Sequence, residues 1–257
     1  MTKDNDRKAV ITILQGLGFS AFEIPEEPQK GRRADIQATK DTQSFLIEVK
    51  SKEDHPEFMS GLKEANDFEI VPYEKSLRRS NSFGKIIREG VRQLEETPEG
   101  IRSFKCIWFR ALESLLSDAF DFMKATLYGT KHLLIRDQSG HFYHARCYYF
   151  DPNEFFKFPS LEAVVFDNGR GAELCVNSFS RRFAEFRCSV LYSIFESSGA
   201  LIDPRKLEKG KMILVADTDV PRKDREAVIR FIQEKYGMHV QTVDMKVIGA
   251  GILYTPE

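Results

Sequence analysis

Two short stretches near the N-terminus alternate between apolar and polar residues, which is the period of a strand with one buried face. Residues 34–39 carry Asp35 on the face opposite their apolar positions. Residues 45–50 alternate in the same way and place Glu48 and Lys50 on a common face. The segment between the two stretches is polar and suits a four-residue hairpin loop. The pattern therefore predicts a β-hairpin.

The register of this hairpin brings two carboxylates together. If Thr39 pairs with Ser44, Asp35 lies directly opposite Glu48, on the face that also carries Lys50. The Cβ atoms of cross-strand partners lie about 5 Å apart, so two carboxylates at these positions repel each other. We therefore expect a cation between them.

Flanking elements are predicted from the same periodicities. Residues 6–17 have apolar side chains at helical spacing, and residues 19–24 alternate like a strand. Residues 83–96 form a second amphipathic helix, and residues 104–111 are nearly all apolar, as in a central strand buried on both faces. The predicted order is helix, three strands, helix, strand.

The remainder of the chain continues as an α/β pattern, after a polar stretch (51–77) that is predicted to be an irregular loop. Further elements are expected as a helix (112–128), two hairpins (132–137 with 142–151, and 161–167 with 172–177), a helix (180–195), and a tail of strand, helix, strand and strand (212–216, 222–236, 240–244, 246–254). The best boundary lies at 197–210. It divides the chain into a core, 1–196, and a C-terminal α/β extension, 197–257, and leaves open whether the two pack as one domain.

Composition changes this picture little. The chain has 257 residues, 42% of them hydrophobic, and a formal net charge of −1, so no global basic field indicates a nucleic-acid partner. The sequence lacks an apolar run of membrane-spanning length and a signal-peptide core, which predicts a cytoplasmic protein without a membrane partner. Its 4 cysteines are far apart, which favours buried thiols over zinc ligands or disulfides.

The hairpin carries a known motif. Asp35 and the triplet Glu48-Val49-Lys50, after a leading helix and a basic segment at 31–33, resemble the PD-(D/E)xK nuclease superfamily. The arrangement is most similar to the Holliday-junction resolvase and Mrr-like branches, and the resemblance covers roughly the first 110 residues. Ala34 stands where the superfamily usually has a proline.

This resemblance implies a fold and a chemistry. The fold would be a restriction-endonuclease-like αβββαβ core with a mixed central sheet. The activity would be hydrolysis of phosphodiester bonds in DNA with Mg²⁺ or Mn²⁺, held by Asp35, Glu48 and the Val49 carbonyl. Lys50 would orient the attacking water and stabilise the developing charge. Such a core serves genome maintenance, restriction and phage defence alike.

Three other residues have two interpretations each. Gln93 resembles a glutamine that orients a catalytic group in several of these families, or it is an exposed residue at a helix rim. Glu23 is either a further metal ligand or a surface residue. Asp6 is either the acidic residue that such families carry early in the first helix, or a solvated carboxylate that favours the helix dipole.

Basic residues on both sides of the motif suggest a path for DNA. They are Lys30, Arg32, Arg33, Lys52, Arg78 and Arg79. A few phosphate contacts of this kind suffice for a duplex, although the same residues also suit a solvated charged loop. The resemblance makes DNA the expected partner, with RNA left open and a homodimer as a further option. The rival functions are a non-cleaving binding or interaction module that kept the fold, and an RNase or tRNA-directed toxin.

Overall fold

The computed structural model describes residues 3–25, 33–51, 70–98, 102–111, 119–136, 139–208 and 213–252. The chain forms two compact units of α/β structure. Unit 1 contains Met1–Lys52, Asn81–Leu112 and Asn153–Lys211, and unit 2 contains Glu53–Ser80, Glu113–Pro152 and Met212–Glu257. The division predicted from the sequence runs differently, since its boundary at 197 falls inside unit 1.

In chain order the elements are α1 (Lys3–Gly16), β1 (Ser20–Glu23), β2 (Ile36–Lys40), β3 (Gln43–Ser51), β4 (Ile70–Ser76), α2 (Asn81–Glu96), β5 (Phe104–Arg110), α3 (Ala119–Tyr128), β6 (Lys131–Arg136), β7 (Phe142–Tyr148), α4 (Glu154–Lys157), β8 (Ala163–Asp167), β9 (Ala172–Val176), α5 (Phe183–Phe186), α6 (Val190–Ser197), β10 (Leu201–Ile202), α7 (Pro204–Leu207), β11 (Ile213–Val215), α8 (Arg225–Tyr236), β12 (His239–Val243) and β13 (Lys246–Ile252).

Unit 1 is built on a mixed sheet of seven strands in the order β1-β2-β3-β5-β8-β9-β10. The pairs β1–β2 and β2–β3 are antiparallel, whereas β3, β5 and β8 run parallel to one another. The elements α1, β1, β2, β3, α2 and β5 follow the predicted order, with β4 inserted before α2. The α/β class and the mixed sheet are therefore confirmed.

The hairpin has the predicted register and a tighter loop than predicted. Thr39 pairs with Ser44, and Lys40 also pairs with Gln43, so the loop has fewer residues than expected. Asp41 in the loop adopts a left-handed backbone with φ 54°. Aspartate tolerates this conformation better than most residues, which explains how so short a connection closes.

The two faces of the seven-stranded sheet are covered by different helices. A cluster that includes Val10 and Leu14 of α1 and Leu191 of α6 packs on the face of β3 that carries Phe45 and Ile47. Helix α2 covers the opposite face. There Gly90 approaches the sheet so closely that an added Cβ would lie 2.9 Å from Ile107 Cδ1.

Two predicted elements differ from the structure. The helix expected over 180–195 is broken into α5 and α6, because Ser189 adopts an extended backbone and its side chain caps α6 by accepting the Tyr192 N–H. The stretch 51–77 was predicted to be irregular, yet it contains β4, which pairs with β13. Residues 112–118 of the predicted third helix lie outside the described residues.

Unit 2 contains a four-stranded sheet in the order β11-β7-β6-β12 and the two-stranded β4–β13 sheet. Val228 and Ile232 of α8 pack on the core face of the larger sheet. Within the described parts of the chain, no helix is both long and apolar enough to cross a membrane.

The four cysteines are all free thiols, as predicted. Cys106, Cys147 and Cys175 are buried, whereas Cys188 is exposed, so the prediction of burial is wrong for that one residue.

Candidate functional site

The β2–β3 ladder ends beside the motif. Its last pair is Ile36 with Ile47, and β3 then runs on to Ser51, where β5 is the only described strand that pairs with it. One residue before β2, Asp35 bends back, and its Oδ2 accepts the Val49 N–H at 2.9 Å. The N–H of Ala34 donates to Thr97 Oγ1 at 2.8 Å instead of continuing the ladder. Asp35 is thereby fixed by β3 itself.

Glu48 and Lys50 form the second part of the cluster. Glu48 is fully buried, and its Oε1 lies 2.7 Å from Lys50 Nζ. Lys50 Nζ also donates to Gln93 Oε1 of α2 at 2.6 Å. Gly90 of α2 lies beside this lysine, since a Cβ there would be in ordinary van der Waals contact with Lys50 Cε at 3.5 Å. Gln93 is only 5% exposed, so its interpretation as an exposed rim residue is wrong.

Arg7 of α1 completes the cluster, and sequence reasoning missed it. Its Nε lies 3.2 Å from Asp35 Oδ1, and both side chains are largely buried. This contact changes the expected effect of losing Asp35. The sequence pattern shows only a repulsive pair with Glu48, whereas the structure gives Asp35 an arginine partner and a backbone N–H.

Asp6 is neither solvated nor part of this cluster. It is 4% exposed, and its Oδ1 lies 3.3 Å from Nη1 of Arg110 at the end of β5. The Nε of Arg110 bonds Asp167 Oδ2 at 3.0 Å. The interpretation of Asp6 as a solvated helix-dipole residue is therefore wrong, because its carboxylate shares a buried guanidinium with Asp167.

Glu23 is not brought to the cluster either. It pairs with Ile36, and its strand neighbour Ala21 belongs to the core on the α1 side of the sheet. Cross-strand partners share a face, so Glu23 belongs to the face opposite that of Glu48. Its side chain is exposed at the end of β1.

Half of the predicted DNA-contacting residues have a described position. Lys30, Arg32 and Lys52 lie outside the described residues. Arg33 is half-buried just before Ala34 and Asp35 in unit 1, whereas Arg78 and Arg79 belong to unit 2. The basic cluster around the motif stays a prediction.

A second polar cluster lies in unit 2. The rings of His132 and His144 stack with centroids 4.7 Å apart, and His132 Nδ1 lies 2.7 Å from His144 Nε2. Burial and the nearby Arg146 guanidinium lower the pKa of His132 from its ordinary 6.5 to about 4. Across the described ranges, no three His, Cys, Asp or Glu side chains converge as a metal site would require.

Comparison with known proteins identifies no relative of this chain. No protein-family model matches the chain, and no match is found among curated proteins or among solved structures.

Proposed function

We propose that this chain is a nuclease that hydrolyses phosphodiester bonds in DNA with Mg²⁺ or Mn²⁺, on a core of the restriction-endonuclease type. One observation carries the proposal. Asp35 is held at the end of the β2–β3 ladder beside Val49, and Glu48 follows on β3 with its carboxylate on Lys50 Nζ. Two carboxylates and a lysine at the end of parallel strands lie where α/β sheets commonly bind ligands.

The donor set suits a hard divalent cation. Mg²⁺ and Mn²⁺ prefer oxygen ligands, and Asp35 and Glu48 supply two buried carboxylates. A third oxygen comes from the backbone. The N–H and C=O of a strand residue point to the same side, so the Val49 carbonyl points toward the side on which its N–H meets Asp35. A bound metal would polarise the scissile phosphate and lower the pKa of a water molecule.

Lys50 supplies the second element of the chemistry. Its ammonium is held between Glu48 Oε1 and Gln93 Oε1, so its position is fixed by β3 and α2 together. A cation fixed in this way stabilises negative charge on the phosphorane and orients the attacking water without having to reorganise during the reaction. Gln93 acts as the positioning residue for Lys50.

The second candidate is a nucleic-acid-binding module that does not cleave, and Arg7 is the observation that favours it. Arg7 and Lys50 each lie on one carboxylate of the cluster, at 3.2 Å from Asp35 and 2.7 Å from Glu48. Two cations of the chain thus compensate two carboxylates. In a nuclease Arg7 has to share Asp35 with the metal, whereas in a binding module the two pairs are permanent.

One experiment separates these functions. Wild-type protein and Glu48→Gln are incubated with end-labelled DNA and RNA, single-stranded and duplex, in Mg²⁺, Mn²⁺ or EDTA. We expect DNA cleavage by the wild type only with metal, and none by Glu48→Gln. Glu95→Gln, which alters an exposed residue of α2 that bonds Ser160, is the matched control and should cleave normally. Binding without cleavage would indicate the binding module, and cleavage of RNA alone would indicate an RNase.

A further inference from the structure

The four-stranded sheet of unit 2 has two unlike faces. One face packs against α8 through a core cluster whose strand members are Leu133, Ile135, Ala145, Cys147, Leu214 and Val240. Successive side chains of a strand point to opposite faces. The residues between these core members therefore form a separate outer face.

The strand register arranges this outer face in rows. In the first row Phe142 of β7 pairs with Arg136 of β6. In the second row His144 pairs with Leu134, and Leu134 pairs with Gln241 of β12. Residues two apart along a strand are separated by about 7 Å, so the two rows together form a small continuous surface.

This surface combines an exposed aromatic ring with a cation. Phe142 is 64% exposed, and the Arg136 guanidinium lies 5.7 Å from the centre of its ring. His144 and Gln241 are also exposed, and Leu134 is half-buried. Among the described residues of β6, β7 and β12, none on the outer face is a carboxylate. The acidic Asp121 of α3 pairs with Arg146, one row farther along β7.

We propose that this outer face binds a segment of single-stranded nucleic acid. The Phe142 ring stacks on a base, Arg136 contacts the adjoining phosphate, and Gln241 and His144 hydrogen-bond base edges or sugar. A single strand fits better than a duplex, because only an unpaired strand presents the flat faces of its bases to an aromatic side chain. The absence of carboxylates on these strands suits an anionic partner. The inference shares the nucleic-acid partner with the proposed nuclease, but it uses none of the cluster residues.

Fluorescence anisotropy with labelled oligothymidylate and oligouridylate tests the proposal. The full chain is titrated in EDTA, so that cleavage plays no part. We expect Phe142→Ala to weaken binding on the order of tenfold, as is typical of a lost stacking partner. Phe142→Trp should restore it. Arg136→Gln should make the dependence of log affinity on log salt shallower by about one unit. The matched control is Phe156→Ala, which removes a 54% exposed ring in unit 1 and should bind like the wild type.

Two results would overturn the proposal. If Phe142→Ala binds oligonucleotides as tightly as the wild type, the nucleic acid binds elsewhere on the chain. Light scattering shows whether the wild type self-associates. If Phe142→Ala abolishes self-association and leaves oligonucleotide binding unchanged, the face binds a second copy of the chain instead. Neither result depends on cleavage, so failure of this inference and failure of the proposed nuclease function remain distinguishable.

Discussion

Two buried clusters of charged residues, found among the described residues of unit 1 at the carboxyl ends of its parallel strands, are built differently. In the first, which we call the arginine cluster, Arg110 bridges Asp6 and Asp167 on the α1 side of the sheet. In the second, the lysine cluster, Glu48 and Lys50 face α2, where Gln93 binds the lysine, and Asp35 lies alongside.

The bonding of each cluster indicates its role. The guanidinium of Arg110 is a rigid planar fork, and its partner Asp167 also accepts the Gly169 N–H at 2.7 Å. Such a unit ties α1 to β5 and β8. Lys50 instead presents a compact ammonium on a flexible stem, paired with the Glu48 carboxylate of its own strand and hydrogen-bonded to Gln93 of α2. Burial is similar in both clusters, so burial alone does not distinguish a reactive site from a structural one. The proposed reactivity of the lysine cluster rests on its two carboxylates beside a lysine.

Removal of Arg110 should have the largest effect on stability. Arg110→Met leaves Asp6 and Asp167 buried without their shared cation, which typically costs about 3–5 kcal/mol. Urea denaturation monitored by circular dichroism measures this loss. Arg225→Met, which removes an exposed partner of Asp151, is the control and should cost at most about 1 kcal/mol. If Arg110→Met and Arg225→Met are equally stable, the arginine cluster does not have the proposed structural role.

Asp35→Ala should destabilise the fold by about 1–3 kcal/mol, because the buried Val49 N–H loses its acceptor and Arg7 loses an ion-pair partner. Asp35→Asn retains an oxygen for the Val49 N–H and should cost less. The hairpin pattern alone predicts that Asp35→Ala makes the fold more stable, since the pattern shows only repulsion between Asp35 and Glu48. An Asp35→Ala protein more stable than the wild type in urea would favour that simpler picture.

Mg²⁺ should stabilise the lysine cluster and leave the arginine cluster unaffected. A ligand at ten times its Kd stabilises the folded state by about 1.4 kcal/mol. We expect a shift of this order in the urea midpoint of the wild type and of Glu95→Gln, but none in Glu48→Gln. A shift of equal size in Glu48→Gln would place the metal elsewhere.

The smallest effect on stability is expected at Gln93. Gln93→Ala removes the bond to Lys50 Nζ and should cost about 1 kcal/mol. Its cleavage rate should fall more than its substrate affinity, because Lys50 loses its fixed position. Gln93→Glu keeps an acceptor for the lysine and should recover part of the rate. If Gln93→Ala cleaves DNA at the wild-type rate, Gln93 contributes to packing and not to the position of Lys50.

The contrast between the clusters also explains what the sequence could predict. Asp35, Glu48 and Lys50 lie within one hairpin, so strand alternation and register were enough to bring them together. In the arginine cluster, Arg110 lies 104 positions from Asp6 and 57 positions from Asp167. No local sequence pattern predicts contacts between residues so far apart. Arg7 was missed for the same reason.

Local signals also failed where tertiary contacts or capping competed with periodicity. β4 was not predicted, because it lies in a polar stretch and its pairing partner β13 lies near the other end of the chain. The prediction of one helix over 180–195 did not take account of Ser189, whose side chain starts a new helix by capping α6.

The cleavage rate of Lys50→Ala tests most directly whether Lys50 acts in metal-dependent cleavage. Lys85→Ala, on the exposed side of α2, is the matched control, and urea denaturation verifies that both variants are folded. With labelled DNA in Mg²⁺, we expect Lys50→Ala to lose on the order of a hundredfold or more in rate, as is typical when a group that stabilises transition-state charge is removed. Lys85→Ala should cleave normally. Cleavage by folded Lys50→Ala at the wild-type rate, abolished by EDTA, would contradict the account.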